Sequence, residues 1–323
     1  MYDVITIGSA TVDVFGIISQ RFKQIRLGDK VLVDKVNFET GGGGVNSAVS
    51  FARMGLKTAF LGKLGHDHNA FKILHELKKE KVKVIKTKPS KNHTSYSFIL
   101  KSKQEQDRII FTHKGSSDEL SYNEFNKSEL KTKWIYLATM LKKSFRTAEK
   151  IAKYAKKHNI KIMFNPSTYL ALQGKFHLRK ILKATNILVL NKSEAKLLLR
   201  TKSNNIVEIL KGLRKIGPSI AVVTEGEKGI NAYDGENYYH LPAYKVKVIS
   251  TAGAGDAFAS GFLAGIFHKK DIVHAVELGM ANAASVIQYF GTKNKLLTYK
   301  QANKFIRRSK EKVIVKKISK RKY

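Results

Sequence analysis

The 323-residue chain contains no cysteine, which excludes disulfide bonds, thiolate nucleophiles and cysteine metal ligands. A hydrophobic content of 43% with only four prolines is typical of a folded globular protein, and no apolar window approaches the roughly 18 residues that a membrane span needs. The 60 lysines and arginines outnumber the 25 acidic residues and give a net charge of +35, so binding to nucleic acid has to be weighed.

The basic residues are spread along the whole chain instead of forming one patch. Many fall at polar helix positions, such as Lys150, Lys153 and Lys156, where charges normally face solvent. We therefore expect neither a nucleic-acid partner nor a membrane partner. Met1 leads directly into an apolar strand pattern with no signal segment, so we expect a cytoplasmic location.

Short apolar runs alternate with helical patterns from one end of the chain to the other. The runs predict buried strands, at residues 4–7, 58–61, 134–137, 160–164, 187–190 and 220–224. Helical spacing separates them, for example in Phe145, Ala148 and Ile151. Strands that alternate with helices predict an α/β fold with a mainly parallel sheet covered on both faces.

Two regions break this alternation and predict a small antiparallel β lid, built from segments near 11–40 and 94–115. Both contain alternating polar and apolar residues typical of half-buried strands. Asp234-Gly235 between two apolar runs predicts a hairpin. The basic tail 310–323 is open to three interpretations: a final strand, a nucleic-acid-binding arm, or a solvated end, which we favour.

Two glycine clusters carry the chemistry. Gly41 to Gly44 precede Asn46 and a helical run, so the backbone can approach a small polar ligand closely. Gly253-Ala254-Gly255-Asp256 opens an apolar helix, where free N–H groups and the helix dipole suit phosphate oxygens. A carboxylate beside such an anion site is placed to take a proton from an attacking hydroxyl, which indicates phosphoryl transfer to an alcohol.

Together with Gly62-Lys63-Leu64-Gly65-His66-Asp67, these clusters resemble the two signature regions of the PfkB (ribokinase-like) family of carbohydrate and nucleoside kinases. The resemblance runs from Gly8 to Leu297. It implies a three-layer αβα ribokinase-like kinase domain over residues 1–309, with ATP and Mg²⁺ as cofactors. It also implies contact between lids, so we expect a homodimer.

The resemblance assigns roles to residues on the acceptor side. Asp256 is similar to the family's catalytic base, and Gly253, Ala254 and Gly255 to its anion hole. Asp is also a common helix N-cap, but the glycines just before Asp256 and the distant first glycine cluster favour the role of base. The residues similar to those that hold the acceptor are Asp13, Gly42, Gly43 and Asn46.

On the nucleotide side, Asn191 and Glu194 resemble the Asn-x-x-Glu motif that organises Mg²⁺ through water. The same four-residue pattern is also typical of a capped helix start, so the sequence leaves both interpretations of the motif open. Nucleotide contacts are expected, by resemblance, at Thr224, Gly226, Gly229 and Asn282.

Departures from the family pattern concern the acceptor and a cation. Thr11 and Gly43 stand where ribokinases carry Asn and Lys, which argues against ribose itself. Ser250 and Ala252 weaken the case for a monovalent cation site. A sugar is the expected acceptor, with a nucleoside as the alternative. A nucleic-acid-binding protein on an inactive kinase scaffold is the third hypothesis.

Overall fold

The computed structural model describes residues 1–105 and 108–318, within which the chain forms fourteen strands and eleven helices. The strands are β1 Tyr2–Ile7, β2 Thr11–Ile18, β3 Lys35–Gly41, β4 Thr58–Leu61, β5 Lys83–Val84, β6 Ser95–Ser102, β7 Arg108–His113, β8 Thr132–Leu137, β9 Lys161–Phe164, β10 Ile187–Asn191, β11 Ile220–Thr224, β12 Ile230–Tyr233, β13 Asn237–Leu241 and β14 Ile314–Lys317. The helices are α1 Gly43–Arg53, α2 His68–Lys79, α3 Lys142–Lys157, α4 Ser167–Ala171, α5 Gly174–His177, α6 Arg179–Leu182, α7 Lys192–Leu199, α8 Ile206–Lys215, α9 Ala254–Lys269, α10 Ile272–Val286 and α11 Tyr299–Arg308.

Ten strands form one large sheet, in the order β14-β13-β12-β11-β10-β9-β8-β1-β4-β5. The seven strands from β11 to β5 are parallel, and the three beyond β11 are antiparallel. All six apolar runs predicted as strands lie in the parallel part, which confirms the predicted α/β class. These strands are apolar along their whole length because both faces of a parallel sheet are covered.

Helices cover the large sheet on both faces. On one face, α3, α7 and α8 bury Ile151, Leu198 and Leu210 against the strands. On the other face, Phe51 of α1 and Phe258 of α9 pack over a second apolar cluster. No helix of the described residues is both long and apolar enough to cross a bilayer.

The strand order reverses at β1. The chain goes from β1 to β4 on one side and later returns to β8 on the other. In a parallel sheet this reversal leaves a crevice at the carboxyl ends of the two strands, where α/β proteins usually bind ligands. The crevice is therefore expected beside Gly8 and Ala138.

The predicted lid is a four-stranded sheet in the order β3-β2-β6-β7. Its outer pairs are antiparallel, as expected, whereas the central pair β2–β6 is parallel because the two strands come from distant segments. Register places Asp13 beside Ser97, and Ser97 beside Thr112, on one face of this sheet. Phe98 and Phe111 are paired on the opposite face.

The carboxyl-terminal part adds a sheet edge. The Asp234-Gly235 turn joins β12 to β13, which confirms the predicted hairpin. The basic tail forms β14, which pairs with β13, so the interpretation as a final strand applies to residues 314–317 and not the solvated end that we favoured. Residues 319–323 of that tail lie outside the described residues.

Candidate active site

A cavity of about 370 Å³ lies at the predicted crevice, between the carboxyl ends of β1 and β8 and under the lid. It collects residues from the body, the lid and the start of α9. Four predicted site residues line it together, although they are far apart in the chain: Asp13, Gly42, Gly43 and Asp256. The two glycine clusters therefore converge on one cavity.

Asp256 is the third residue of α9 and lies at the cavity wall. Burial raises the pKa of its carboxyl group to about 6. The Asn46 amide limits this shift, since Nδ2 donates a hydrogen bond of 2.9 Å to Asp256 Oδ2, and Lys293 acts in the same direction. A carboxylate with a pKa near neutrality accepts a proton more readily than an exposed one.

Asn46 is itself held in place from the far side. Its Oδ1 accepts hydrogen bonds from Thr292 Oγ1 at 3.1 Å and from Lys293 Nζ at 3.4 Å. With the oxygen occupied by donors, the amide nitrogen has to face Asp256. Lys293 also contacts the Thr40 carbonyl oxygen and lies 3.7 Å from Glu76 Oε1. Burial lowers the pKa of the Lys293 ammonium, while Glu76 opposes this shift.

Asp13 faces the same cavity from the lid strand β2. Burial raises the pKa of its carboxyl group, and a hydrogen bond from Ser97 opposes the increase. Gly41 makes this position possible, because a Cβ there would lie 2.2 Å from Asp13 Oδ2. The first glycine cluster thus admits an acidic side chain beside the backbone, where acceptor hydroxyls could donate to it.

The second cluster forms the first turn of α9, a helix of 16 residues. Gly253 precedes the helix with a φ of +78°, and a Cβ there would lie 2.3 Å from the Thr292 carbonyl oxygen. Gly255, by contrast, faces open space with no atom within 4 Å of an added Cβ. The first turn of α9 therefore has open space beside Gly255, next to Asp256, where an anion can approach, although the Ala254 amide already donates to the Thr251 carbonyl oxygen at 3.3 Å.

Asn191 and Glu194 form a capping box at the start of α7. Asn191 Oδ1 accepts from the Glu194 amide at 2.8 Å, and Glu194 Oε2 accepts from the Asn191 amide at 3.0 Å. Thr168 Oγ1 donates to the other carboxylate oxygen at 3.1 Å. The capping box therefore uses the same two residues that the Mg²⁺ interpretation of this motif needs. Glu194 is buried and its charge raises the pKa of Asp256.

The remaining nucleotide-side residues divide into two groups. Thr224 pairs with Asn191 across β10 and β11, and Gly226 begins the turn that Gly229 closes just beyond. Asn282 is different: it is fully buried, and its amide bonds to Ser50, the Ala257 carbonyl and the Leu297 amide. These hydrogen bonds connect Asn282 of α10 to α1, to α9 and to the segment after α10.

With this geometry in view, comparison with known proteins gives the family. The model of the pfkB family carbohydrate kinases matches residues 1–298. The chain belongs to this family. It is therefore a kinase, a phosphotransferase with an alcohol group as acceptor.

Among similar proteins, the kinase shares 26% identity with the ribokinase of Bacillus subtilis, covering 95% of this chain and all of that one. It shares 29% identity with a 5-dehydro-2-deoxygluconokinase of Clostridium botulinum, over 84% of this chain and 85% of that one. The adenosine kinase structure from Sinorhizobium meliloti superposes with a TM-score of 0.82 at 23% identity, covering 94% and 98% of the two chains. Ribokinase from Thermotoga maritima gives 0.81 at 21%, covering 95% and 100%.

Two residues of the kinase cavity were not predicted from the sequence. Tyr136 of β8 is fully buried beside the cavity, and Ser47 and Asn165 lie near its hydroxyl, neither of them in good hydrogen-bond geometry. Lys114 follows β7, and its ammonium lies 4.6 Å from the ring centre of Tyr169, another lining residue. Among the aromatic residues near the site, Tyr169 lines the cavity, whereas Phe15 packs on Phe290 and Phe38 is exposed.

Proposed function

We propose that this kinase transfers the γ-phosphoryl group of ATP to a hydroxyl group of a sugar, with Asp256 as the base. The Asp256 carboxylate takes the proton of the acceptor hydroxyl as its oxygen forms a bond to the γ-phosphorus. The bond from that phosphorus to the β–γ bridging oxygen breaks, and ADP leaves with the electron pair. The observation that carries this proposal is the position of Asp256. It belongs to the first turn of α9 and lines the same cavity that Asp13 faces.

The assignment fits what phosphoryl transfer demands of a protein. Catalysis of this reaction depends on positioning and on neutralising charge. The α9 turn of Gly253, Ala254 and Gly255 supplies amide groups for the transferred phosphoryl group. Asp13, Gly42 and Gly43 are the proposed acceptor contacts, and Asn46 fixes the carboxylate of Asp256.

ATP would lie along the carboxyl ends of β10 and β11, next to Asn191, Thr224, Gly226 and Gly229. Each Glu194 carboxylate oxygen already accepts one hydrogen bond and retains a second lone pair. Among residues 1–105 and 108–318, no three acidic or histidine side chains converge on a metal position. The donor set therefore fits Mg²⁺ held through its water molecules by Glu194, where the ion would neutralise phosphate charge.

The cavity favours a sugar over a nucleoside. A nucleoside base needs an apolar or aromatic surface to stack on, and Tyr169 is the exposed ring that the cavity offers. The Lys114 ammonium lies over that ring at 4.6 Å and so occupies the stacking position. A nucleoside remains the second candidate because Met140, Leu141 and Ile110 make one side of the cavity apolar.

We also propose that two copies associate through their lids. Large apolar side chains lie exposed on the lid face opposite Asp13: Val36, Phe38, Phe98, Ile109 and Phe111. Exposed apolar surface of this kind marks a contact site between proteins. Burying it against a second copy removes it from water without blocking the cavity on the other face.

A coupled ADP-release assay tests the proposed reaction, with Mg²⁺-ATP and a panel of pentoses, hexoses, sugar acids, sugar phosphates and nucleosides. The panel includes ribose, 5-dehydro-2-deoxygluconate and adenosine, because the similar ribokinase, 5-dehydro-2-deoxygluconokinase and adenosine kinase are named for these acceptors. Asp256→Asn should lower kcat by about 10²–10⁴-fold, the usual contribution of a general base. Asp3→Asn changes a carboxylate at the amino-terminal end of β1, the end away from the cavity; it is the matched control and should keep full activity.

Two results would reject the proposal. Phosphoryl transfer that survives Asp256→Asn unchanged would remove the base. Absence of turnover on every acceptor, together with binding to DNA that weakens steeply as salt rises, would instead support the inactive scaffold that binds nucleic acid.

A further inference from the structure

Charge in the acceptor cavity is distributed unevenly. Asp13, Asp118 and Asp256 all contribute carboxyl groups to its wall. Lys114 is the one cationic side chain among the described residues that line the cavity. This single ammonium is therefore the lining side chain suited to a negatively charged group of a ligand.

Lys114 has a cation–π contact with Tyr169 but no close counter-ion among the described residues. It forms no ion pair within 4 Å with any residue of 1–105 or 108–318. Asp118, the nearest candidate in sequence, already pairs with Lys142 at 3.2 Å. Burial lowers the pKa of the Lys114 ammonium, with Asp118 and Asp13 acting against the shift. A half-buried ammonium without a close counter-ion is costly unless a ligand supplies one.

The backbone holds Lys114 firmly where the lid meets the body. Its carbonyl oxygen accepts hydrogen bonds from Ser95 Oγ of β6 and from the Ser117 amide at 3.0 Å. The side chain then lies over the ring of Tyr169, which belongs to the body. Lys114 therefore faces the cavity from a fixed position, as a residue that recognises part of a ligand should.

Resting on the sugar kinase function proposed above, we propose that Lys114 selects acceptors that carry a carboxylate in addition to the hydroxyl that is phosphorylated. Asp256 addresses the hydroxyl and Lys114 the acid group, with Asp13 binding the hydroxyls between them. A carboxylate carries one negative charge, which an ammonium can match through charge-assisted hydrogen bonds. A phosphate dianion fits less well, because Asp13 and Asp118 lie close to the same ammonium.

Matched pairs of acceptors test this selectivity, namely ribose with ribonate and glucose with gluconate, plus glucose 6-phosphate. Wild type should favour the acid member of a pair in kcat/KM by about tenfold or more. Lys114→Met should lower kcat/KM for the acid by about 10- to 100-fold and change the neutral member by less than threefold, because a hydrogen bond to a charged group is lost. Lys156→Met, an exposed lysine on α3, is the control and should change neither.

Outcomes separate this proposal from the proposed function. Equal losses on acid and neutral acceptors, or a preference for glucose 6-phosphate over gluconate, overturn selection by Lys114 while leaving the kinase intact. If no acceptor is turned over, the kinase function fails, and calorimetry with ribonate and gluconate still decides the role of Lys114. Binding of either acid that Lys114→Met abolishes supports it, and absence of binding by both acids overturns it.

Discussion

At the scale of single residues, the burial of the Asp256 carboxyl group sets the pH at which the proposed base is active. Its raised pKa means that the proposed base is protonated, and inactive, at acidic pH. We expect kcat/KM to rise as pH increases through about 6 and then to level off. Asn46→Ala removes the amide that stabilises the carboxylate, so it should move this rise to higher pH.

Rates measured from pH 5 to 8.5 in both proteins check this prediction. Because nucleotide phosphates titrate in the same range, the difference between variants is the decisive quantity. Asn303→Ala, on α11, provides a control whose profile should match wild type. An unchanged or acid-shifted profile in Asn46→Ala would contradict the proposed coupling.

Tyr136 offers a second test at this scale. Its buried hydroxyl makes no well-aligned hydrogen bond with Ser47 or Asn165, the polar side chains near it, so Tyr136→Phe should leave the free energy of unfolding unchanged or slightly higher. Tyr233→Phe is the matched comparison, because the Tyr233 hydroxyl donates to the Gly235 carbonyl at 2.9 Å. That variant should lose about 1 kcal/mol.

Denaturant unfolding of both variants measures the difference. If the Tyr136 hydroxyl contacts the acceptor, Tyr136→Phe should also raise KM for the acceptor without changing KM for ATP. A stability loss in Tyr136→Phe as large as that in Tyr233→Phe would show that the hydroxyl has a partner in the free protein.

At the scale of elements, two glycines at the start of α9 serve different purposes: Gly253 is needed for folding, and Gly255 for ligand binding. Gly253→Ala places a Cβ 2.3 Å from the Thr292 carbonyl at a positive φ, and should destabilise the protein by about 1–3 kcal/mol. Gly255→Ala meets no atom within 4 Å, so folding should be unaffected or slightly favoured. If the open volume receives phosphate, this second variant should raise KM for ATP.

Thermal unfolding and ATP kinetics on the two variants give the result. The expected pattern is loss of stability in the first and loss of ATP affinity in the second. Normal ATP kinetics in Gly255→Ala would argue against a phosphate at this turn.

The elements that could be predicted from sequence are those with a local signal. Apolar runs marked the parallel strands, and the glycine clusters marked the two sides of the cavity, since both patterns are contiguous in the chain. Tyr136 could not be found, because a tyrosine within an apolar strand looks like any core residue. Lys114 and Lys293 are two of 60 basic residues, and only the packing of the lid and of the segment after α10 shows which of them approach the carboxylates.

At the scale of the whole molecule, the charge of +35 coexists with an apolar lid face. Self-repulsion opposes association, so any dimer depends on apolar burial. Phe111→Asp places a charge on the exposed lid face, on its edge strand β7, and should convert a dimer into a monomer, as measured by sedimentation velocity at moderate salt. Phe176→Asp, at a more exposed phenylalanine on α5, should leave the mass unchanged. A monomeric wild type would contradict association through the lid.

The capping box of Asn191 and Glu194 also affects which residues would change first in a relative that had lost the kinase activity. Folding alone is sufficient reason to retain the pair, since the hydrogen bonds that start α7 do not depend on catalysis. A descendant that had lost phosphoryl transfer would still keep the Asn-x-x-Glu pattern. Gly255 has no comparable structural role, because an added Cβ there meets no atom within 4 Å, so its substitution would be the earlier sign of a kinase that has lost its activity.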